Sequence, residues 1–190
     1  MSFVSFENVS KAFGNKKVID NLSFSIVRTH SLAVMGPSGS GKTTIINLLL
    51  GFENVDCGKI VCPNKTSVVF QEDRLSEDFS VLSNTTVGSK SKEKKAAAVK
   101  LLGALGLAGE EKTPVRELSG GMKRRVAIAR ALCTDAEFYI FDEPFKGLDE
   151  GTWLDVLGVV KAFMKDKAFL LITHNEKEAT ALCDDMLVLE

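Results

Sequence analysis

The sequence has almost no net charge, no apolar run long enough to cross a bilayer and no patterned cysteines. Its 24 lysines and arginines nearly balance 25 aspartates and glutamates, leaving a formal charge of -1. The overall balance therefore gives no reason to expect a nucleic-acid partner. Cys57, Cys62, Cys133 and Cys183 have no paired metal-ligand spacing, and only two histidines accompany them, so free thiols in a reducing compartment are expected. The start "MSFVSFENVSKAFG" has no basic segment followed by an apolar one, and no stretch approaches the roughly 20 apolar residues of a membrane helix. A cytosolic chain is expected, or one held at a membrane through a partner. There is no internal repeat and no low-complexity segment.

What is present suits one domain, or one domain with an inserted subdomain: 190 residues, of which 45% are hydrophobic. "FVSFENV" alternates as a strand does, and "VIDNLSFSIV" puts Leu22, Phe24 and Ile26 on one face as its antiparallel continuation. "SLAVMG" is apolar without alternation, the mark of a strand buried on both faces of a parallel sheet. A helix is predicted from about Lys42 to Leu50, stopped by Gly51. "KIV" and "SVVF" read as short strands. Helices dominate over 74–135, including "KEKKAAAVKLLGALG", whose lysines at 90–95 read as a solvated helix start. Strands return in "FYIF", "AFLLIT" and "MLVLE", separated by a helix over 152–164 with Trp153, Leu157, Val160 and Met164 on one stripe. The predicted class is α/β: a core with a mainly parallel sheet and an amino-terminal antiparallel β-subdomain over 1–73 and 136–190, carrying a helical subdomain over 74–135.

Two segments have the form of anion sites. Gly36, Gly41, Lys42 and Thr43 match G-x-x-x-x-G-K-[ST], following a buried strand and opening a helix. In that setting the loop made by Gly36, Pro37, Ser38, Gly39, Ser40, Gly41, Lys42, Thr43 and Thr44 turns backbone N–H groups toward phosphates. Lys42 adds a cation, and Thr43 a hydroxyl for Mg²⁺. The second segment, "RELSGGMKRRVAIARAL", places a serine and two glycines before a helix carrying Lys123, Arg124, Arg125 and Arg130. "FYIFDE" ends a central strand in two acids: Asp142 suits a Mg²⁺ shell, or a helix cap, and Glu143 suits the orientation or deprotonation of an attacking water. His174 ends "LLITH", where strand ends cluster beside a ligand crevice and an imidazole can meet a γ-phosphate.

"GPSGSGKTT", "VVFQEDR", "LSGGM", "FYIFDEP", "GLDE" and "ITHNEKEA", in this order, resemble the nucleotide-binding subunits of ABC transporters over nearly the whole chain. The resemblance implies a P-loop NTPase core that binds ATP with Mg²⁺. It makes Gln71 the loop glutamine that senses the γ-phosphate and metal, 119–122 the signature, Glu143 the general base, His174 the switch histidine, and Asp149 part of a loop linking two sites. Phe13 falls where the family stacks an aromatic on adenine; a core phenylalanine is the other reading of that position. Two cassettes, identical or related, are implied to pair head to tail, so that Ser119, Gly120 and Gly121 serve the neighbour's nucleotide. The arginines beyond them are then expected to form mostly a solvated or helical-subdomain face.

The subunit is implied to act at the cytoplasmic face of the membrane through separate permease subunits, with an external solute-binding protein as a further partner. "VVFQEDRL" and the signature most resemble the nitrate, sulfonate and taurine importers. Met122, Lys146 and Gly147 depart from the usual pattern, the β-subdomain is short, and no separate regulatory domain is expected after "MLVLE"; none of these departures removes a catalytic group. The rival readings are a soluble ABC-type ATPase and a regulatory module that binds ATP without turnover. The expected long coiled coil or second cassette of the first is missing from the sequence, and the presence of Glu143 and His174 weighs against the second.

Overall fold

The alternation in the first 26 residues becomes a long hairpin in the computed structural model, which describes residues 3–87 and 89–189. Its strands are β1 (Val4–Phe13) and β2 (Lys16–Ile26), followed by β3 (Ser31–Met35), α1 (Lys42–Leu49), β4 (Cys57–Val61) and β5 (Thr66–Val69). Three helices come next, α2 (Val81–Thr86), α3 (Lys92–Ala104) and α4 (Gly120–Leu132). The chain then alternates through β6 (Phe138–Asp142), α5 (Glu150–Met164), β7 (Phe169–Ile172), α6 (Glu176–Leu182) and β8 (Asp185–Val188). Glu190, the last residue of the expected strand "MLVLE", lies outside the described residues. The elements form two compact units, one of Met1–Thr66, Ala136–Asp142 and Asp166–Glu190, the other of Ser67–Asp135 and Glu143–Lys165. The helical stretch 74–135 lies within the second unit, which also takes in 143–165.

In the first unit β2, β1 and β4 form an antiparallel sheet in that order. Phe6 pairs with Phe24 across it, and their rings stack with centroids 4.5 Å apart. The parallel strands of this unit run β6, β7, β3, β8. All five residues of β6 and all four of β7 are buried, as are the first four of β3. That two-sided burial is why these segments are apolar without alternation. β8 lies at the edge, with Met186 and Val188 more than half exposed. Ser31, at the start of β3, donates from both its amide nitrogen and its hydroxyl to Asp184, and its hydroxyl oxygen accepts from the Asp184 amide. This reciprocal knot fixes the lower edge of the sheet.

Register decides where the chemistry emerges. Asp142 stands opposite Ile172, and Ile172 opposite Val34. Because the three strands are parallel, the loop after β3, the acid ending β6 and the turn after β7 all leave the sheet at its carboxyl edge.

In the second unit α4 packs against both α2 and α3. It buries Val126, Ala127, Ile128, Ala129, Ala131 and Leu132. On α5, Leu157, Val160 and Met164 are buried as the stripe predicts, and Val156 joins them, while Trp153 is only half-buried. Of the two forms expected for the arginines of α4, a solvated face or one turned to the helical subdomain, the structure has the second. Arg124 is 3% exposed. Arg125 donates to the carbonyls of Leu105 and Gly106 at the end of α3, and Arg130 to those of Asp73 and Arg74. Helical periodicity registers a charge on a surface, but not that a planar fork of N–H donors can be satisfied by loop carbonyls.

Candidate functional site

In the first unit the loop between β3 and α1 is shaped by glycine. Gly39 and Gly41 have φ of 86° and 98°, a region that other residues rarely enter. A β-carbon on Gly36 would lie 2.7 Å from the Leu189 carbonyl oxygen, and one on Gly41 would lie 3.1 Å from that of Val18. The ammonium of Lys42 folds back over the loop and donates to the carbonyls of Gly36 and Pro37 at 2.6 and 2.7 Å. Ser40 Oγ is buried with no hydrogen-bond partner.

The start of α1 differs from those of the other helices. Ser80, Ser91, Ser119, Asp149 and Asn175 each accept a first-turn amide through the side chain at the starts of α2 to α6, whereas Gly41 offers α1 no such cap. The orphan amides and positive dipole end of α1, the Lys42 ammonium and the unsatisfied Ser40 hydroxyl form a donor set suited to phosphate.

Magnesium fits the same edge. Thr43 lies in the first turn of α1 and Asp142, 7% exposed, ends β6. These oxygen donors match an ion that takes one or two protein ligands and leaves the rest to phosphate and water. No cluster of three or more His, Cys, Asp or Glu side chains able to hold a metal occurs among the described residues.

His174 is exposed, and the turn that carries it is anchored from below. Thr173 donates its hydroxyl hydrogen to the buried Glu178, and Asn175 Nδ2 donates to the same carboxylate at 3.3 Å. The Asn175 amide in turn donates to Thr173 Oγ1 at 3.1 Å. Sequence reading missed Glu178; its signal is an acid four residues after His174, at the register of one helical turn.

Phe13 is 45% exposed at the end of β1, with the Lys11 ammonium 5.2 Å from its ring centroid, so it is not a core residue. Val18 of the same hairpin would lie 3.3 Å, through its Cγ1, from a β-carbon on Gly41, so this part of β2 runs close to the loop.

The second unit holds Gln71, Ser119, Gly120, Gly121 and Glu143. Gln71 is exposed just beyond β5. Ser119 caps α4, its Oγ accepting the Met122 amide at 3.3 Å. A β-carbon on Gly120 would meet nothing within 4 Å, so this helix start is open to an approaching group. Glu143 holds a positive φ of 49°, rare for a residue with a β-carbon and costly unless its surroundings enforce it. Asp149 caps α5 through the Thr152 amide, which holds its carboxyl below the usual range.

The ABC transporter family model matches residues 19–146. The chain is 40% identical over 191 residues to an aliphatic sulfonates import ATP-binding protein of Rhodococcus jostii (strain RHA1), covering 98% of this chain and 71% of the relative. It is 36% identical over 205 residues to a Nod factor export ATP-binding protein of Burkholderia orbicola (strain AU 1054), covering 98% of this chain and 67% of the relative. The crystal structure of the ADP conformation of an ATP-binding cassette of an ABC transporter superposes with a TM-score of 0.83 at 28% identity, covering all of this chain and 87% of the other. A phosphate loop at the carboxyl edge of a parallel sheet and likeness along nearly the whole length lead to one assignment: the chain belongs to the ABC transporter family, as an ATP-binding cassette, the ATPase part of such a transporter.

Proposed function

We propose that the chain hydrolyses ATP as a head-to-tail dimer of cassettes and thereby drives uptake of a small organic anion through separate permease subunits at the cytoplasmic face of a membrane. The observation that carries the ATP reading is the loop 36–44. Its Lys42 ammonium, held over the loop by the Gly36 and Pro37 carbonyls, its glycine-enforced curl and its helix start without a side-chain cap offer donors for phosphate. Among the described residues no helix is long and apolar enough to cross a membrane; the permease is taken as a separate partner in this reading. An external solute-binding protein would hand over the solute. A sulfonate is the proposed class, because the relative of 40% identity named above is an aliphatic sulfonates import ATP-binding protein.

In this reading Lys42 and the amides of 38–44 bind the phosphates, and Phe13 stacks on adenine. Thr43, Asp142 and Gln71 would hold the divalent ion, which would supply positive charge to offset that developing in the transition state. Glu143 takes the proton of the attacking water, His174 contacts the γ-phosphate, and the partner's copy of the 119–121 turn closes on it. Glu143→Gln should keep ATP binding and lower turnover by on the order of 10² or more. Phosphate release by the isolated cassette, and sulfonate uptake by vesicles holding the reconstituted transporter, measure this. Near-normal release from the variant would remove Glu143 as the base.

A further inference from the structure

Arg124 is the most thoroughly engaged polar side chain of the second unit. Its Nη1 donates to the carbonyls of Phe70 at 2.6 Å and Gln71 at 3.3 Å and to Asp73 Oδ1 at 3.0 Å. Its Nη2 donates to the Glu143 carbonyl at 2.6 Å, and its Nε to the Pro144 carbonyl at 2.8 Å. A buried cation must be fully satisfied, and this one is satisfied by the backbones of two segments far apart in sequence. One carries Gln71 and the other Glu143.

The contact with Glu143 matters because that backbone is strained. With φ at 49°, the peptide after Glu143 stays in place only if held, and its carbonyl accepts from Arg124 and from the Lys146 amide at 3.2 Å. The backbone so fixed sets the point from which the Glu143 carboxylate projects. Arg130, further along α4, grips the Gln71 segment at its other end through the carbonyls of Asp73 and Arg74, at 2.8 and 2.6 Å. Both arginines belong to the helix whose first turn is capped by Ser119, and Arg124 lies five residues beyond that cap, about 7.5 Å along the axis.

We propose that Arg124 is a positioning residue. It holds Glu143 and Gln71 of its own chain in working geometry and ties them to the helix offered to the partner's nucleotide. Displacement at the α4 start by a partner's γ-phosphate then moves the guanidinium that sets the chain's own base. One cassette thus senses, through a rigid helix, whether the neighbouring site is filled. The proposal rests on the roles given above to Glu143 and Gln71. The link between sites rests in addition on head-to-tail pairing.

The test uses dimers of differently tagged chains, captured through both tags in turn. Arg124→Lys keeps the charge but loses the planar fork. In one arrangement Arg124→Lys and Glu143→Gln share a chain and the partner is wild type. In the other, one chain carries Arg124→Lys and its partner Glu143→Gln. If Arg124 serves its own chain's base, the first arrangement hydrolyses ATP like a wild-type/Glu143→Gln dimer. The second falls on the order of 10²-fold below it, as expected of a misplaced catalytic group, with ATP affinity kept. Equal rates in the two arrangements, including loss in both because the variant harms the fold at large, would overturn the proposal.

Ser119→Arg in the same format reports on pairing. In a head-to-tail dimer its polarity is opposite: inactive when it shares a chain with Glu143→Gln, active when the two are on different chains. If Ser119→Arg fails to reverse while Arg124→Lys behaves as expected, head-to-tail pairing is wrong and the link between sites falls with it, but the positioning of Glu143 stands. If Ser119→Arg reverses and Arg124→Lys shows no polarity, pairing holds and the positioning role falls.

Discussion

A β-carbon on Gly36 would lie 2.8 Å from Ser40 Oγ; the two residues close the phosphate loop on itself with no room for a larger side chain at 36. Ser40 Oγ is left buried and without a partner, which is costly in the nucleotide-free chain and useful once a phosphate oxygen arrives. Ser40→Ala should therefore leave the melting temperature of the free chain unchanged or raised. It should weaken ATP binding by about 1 kcal/mol, roughly fivefold. Calorimetric titration beside thermal melting separates the two effects. A clear loss of stability without nucleotide would mean that the hydroxyl has a structural task.

Phe13 is nearly half exposed, so its removal tests base stacking without disturbing a core. Phe13→Ala should change unfolding free energy by no more than about 0.5 kcal/mol, as at an ordinary surface position. ATP affinity should fall by about 1–3 kcal/mol, the range for a base stacked on an aromatic ring, and Phe13→Tyr should restore it. Unchanged affinity would place the adenine elsewhere.

The knot of Ser31 and Asp184 gives the chain a predictable acid response. Hydrogen bonds from Ser31 hold the Asp184 carboxyl below its ordinary value, so the folded state favours the ionised form. The stabilisation is fully present above the unfolded value of about 3.9, and is lost as pH falls from there through the lower folded value. Asp184→Asn should melt below wild type at pH 7, with the gap closing in strongly acid buffer. A gap that stays constant with pH would show that lost packing, not the charge, is responsible.

Much of this organisation is legible in the residues, and the exceptions share physical causes. The unalternated runs became buried parallel strands, and α1 begins at Lys42 and stops before Gly51 as the glycine pattern predicts. α2 and α6, of 6 and 7 residues, went unseen because neither completes two turns of an apolar stripe. Ser80 and Asn175 are the local signals that mark their starts. Which of two faces the arginines of α4 form stayed open in the sequence because their partners are mainly backbone carbonyls at 70–74, 105–106 and 143–144, which no side-chain pattern reveals. Glu178 was missed as a support for the His174 turn for a different reason: its side-chain partners Thr173 and Asn175 are ordinary polar residues until the turn is drawn.

The central claim is that the helix start at Ser119 completes a nucleotide site built on another chain, and one complementation measurement addresses it directly. Lys42→Ala harms a chain's own phosphate loop, whereas Ser119→Arg leaves that loop intact and, besides removing the α4 cap, harms what the chain offers its neighbour. Each variant alone makes dimers with two defective sites. Mixed, a Ser119→Arg chain keeps a sound loop and receives a sound signature from a Lys42→Ala chain, so their dimer has one intact composite site. With Glu143→Gln added to both to slow hydrolysis, tagged copies of the two should capture one another in ATP better than either captures itself. If mixing gives no more ATP-dependent association than the separate variants, Ser119 does not serve the partner's nucleotide and the head-to-tail account is contradicted.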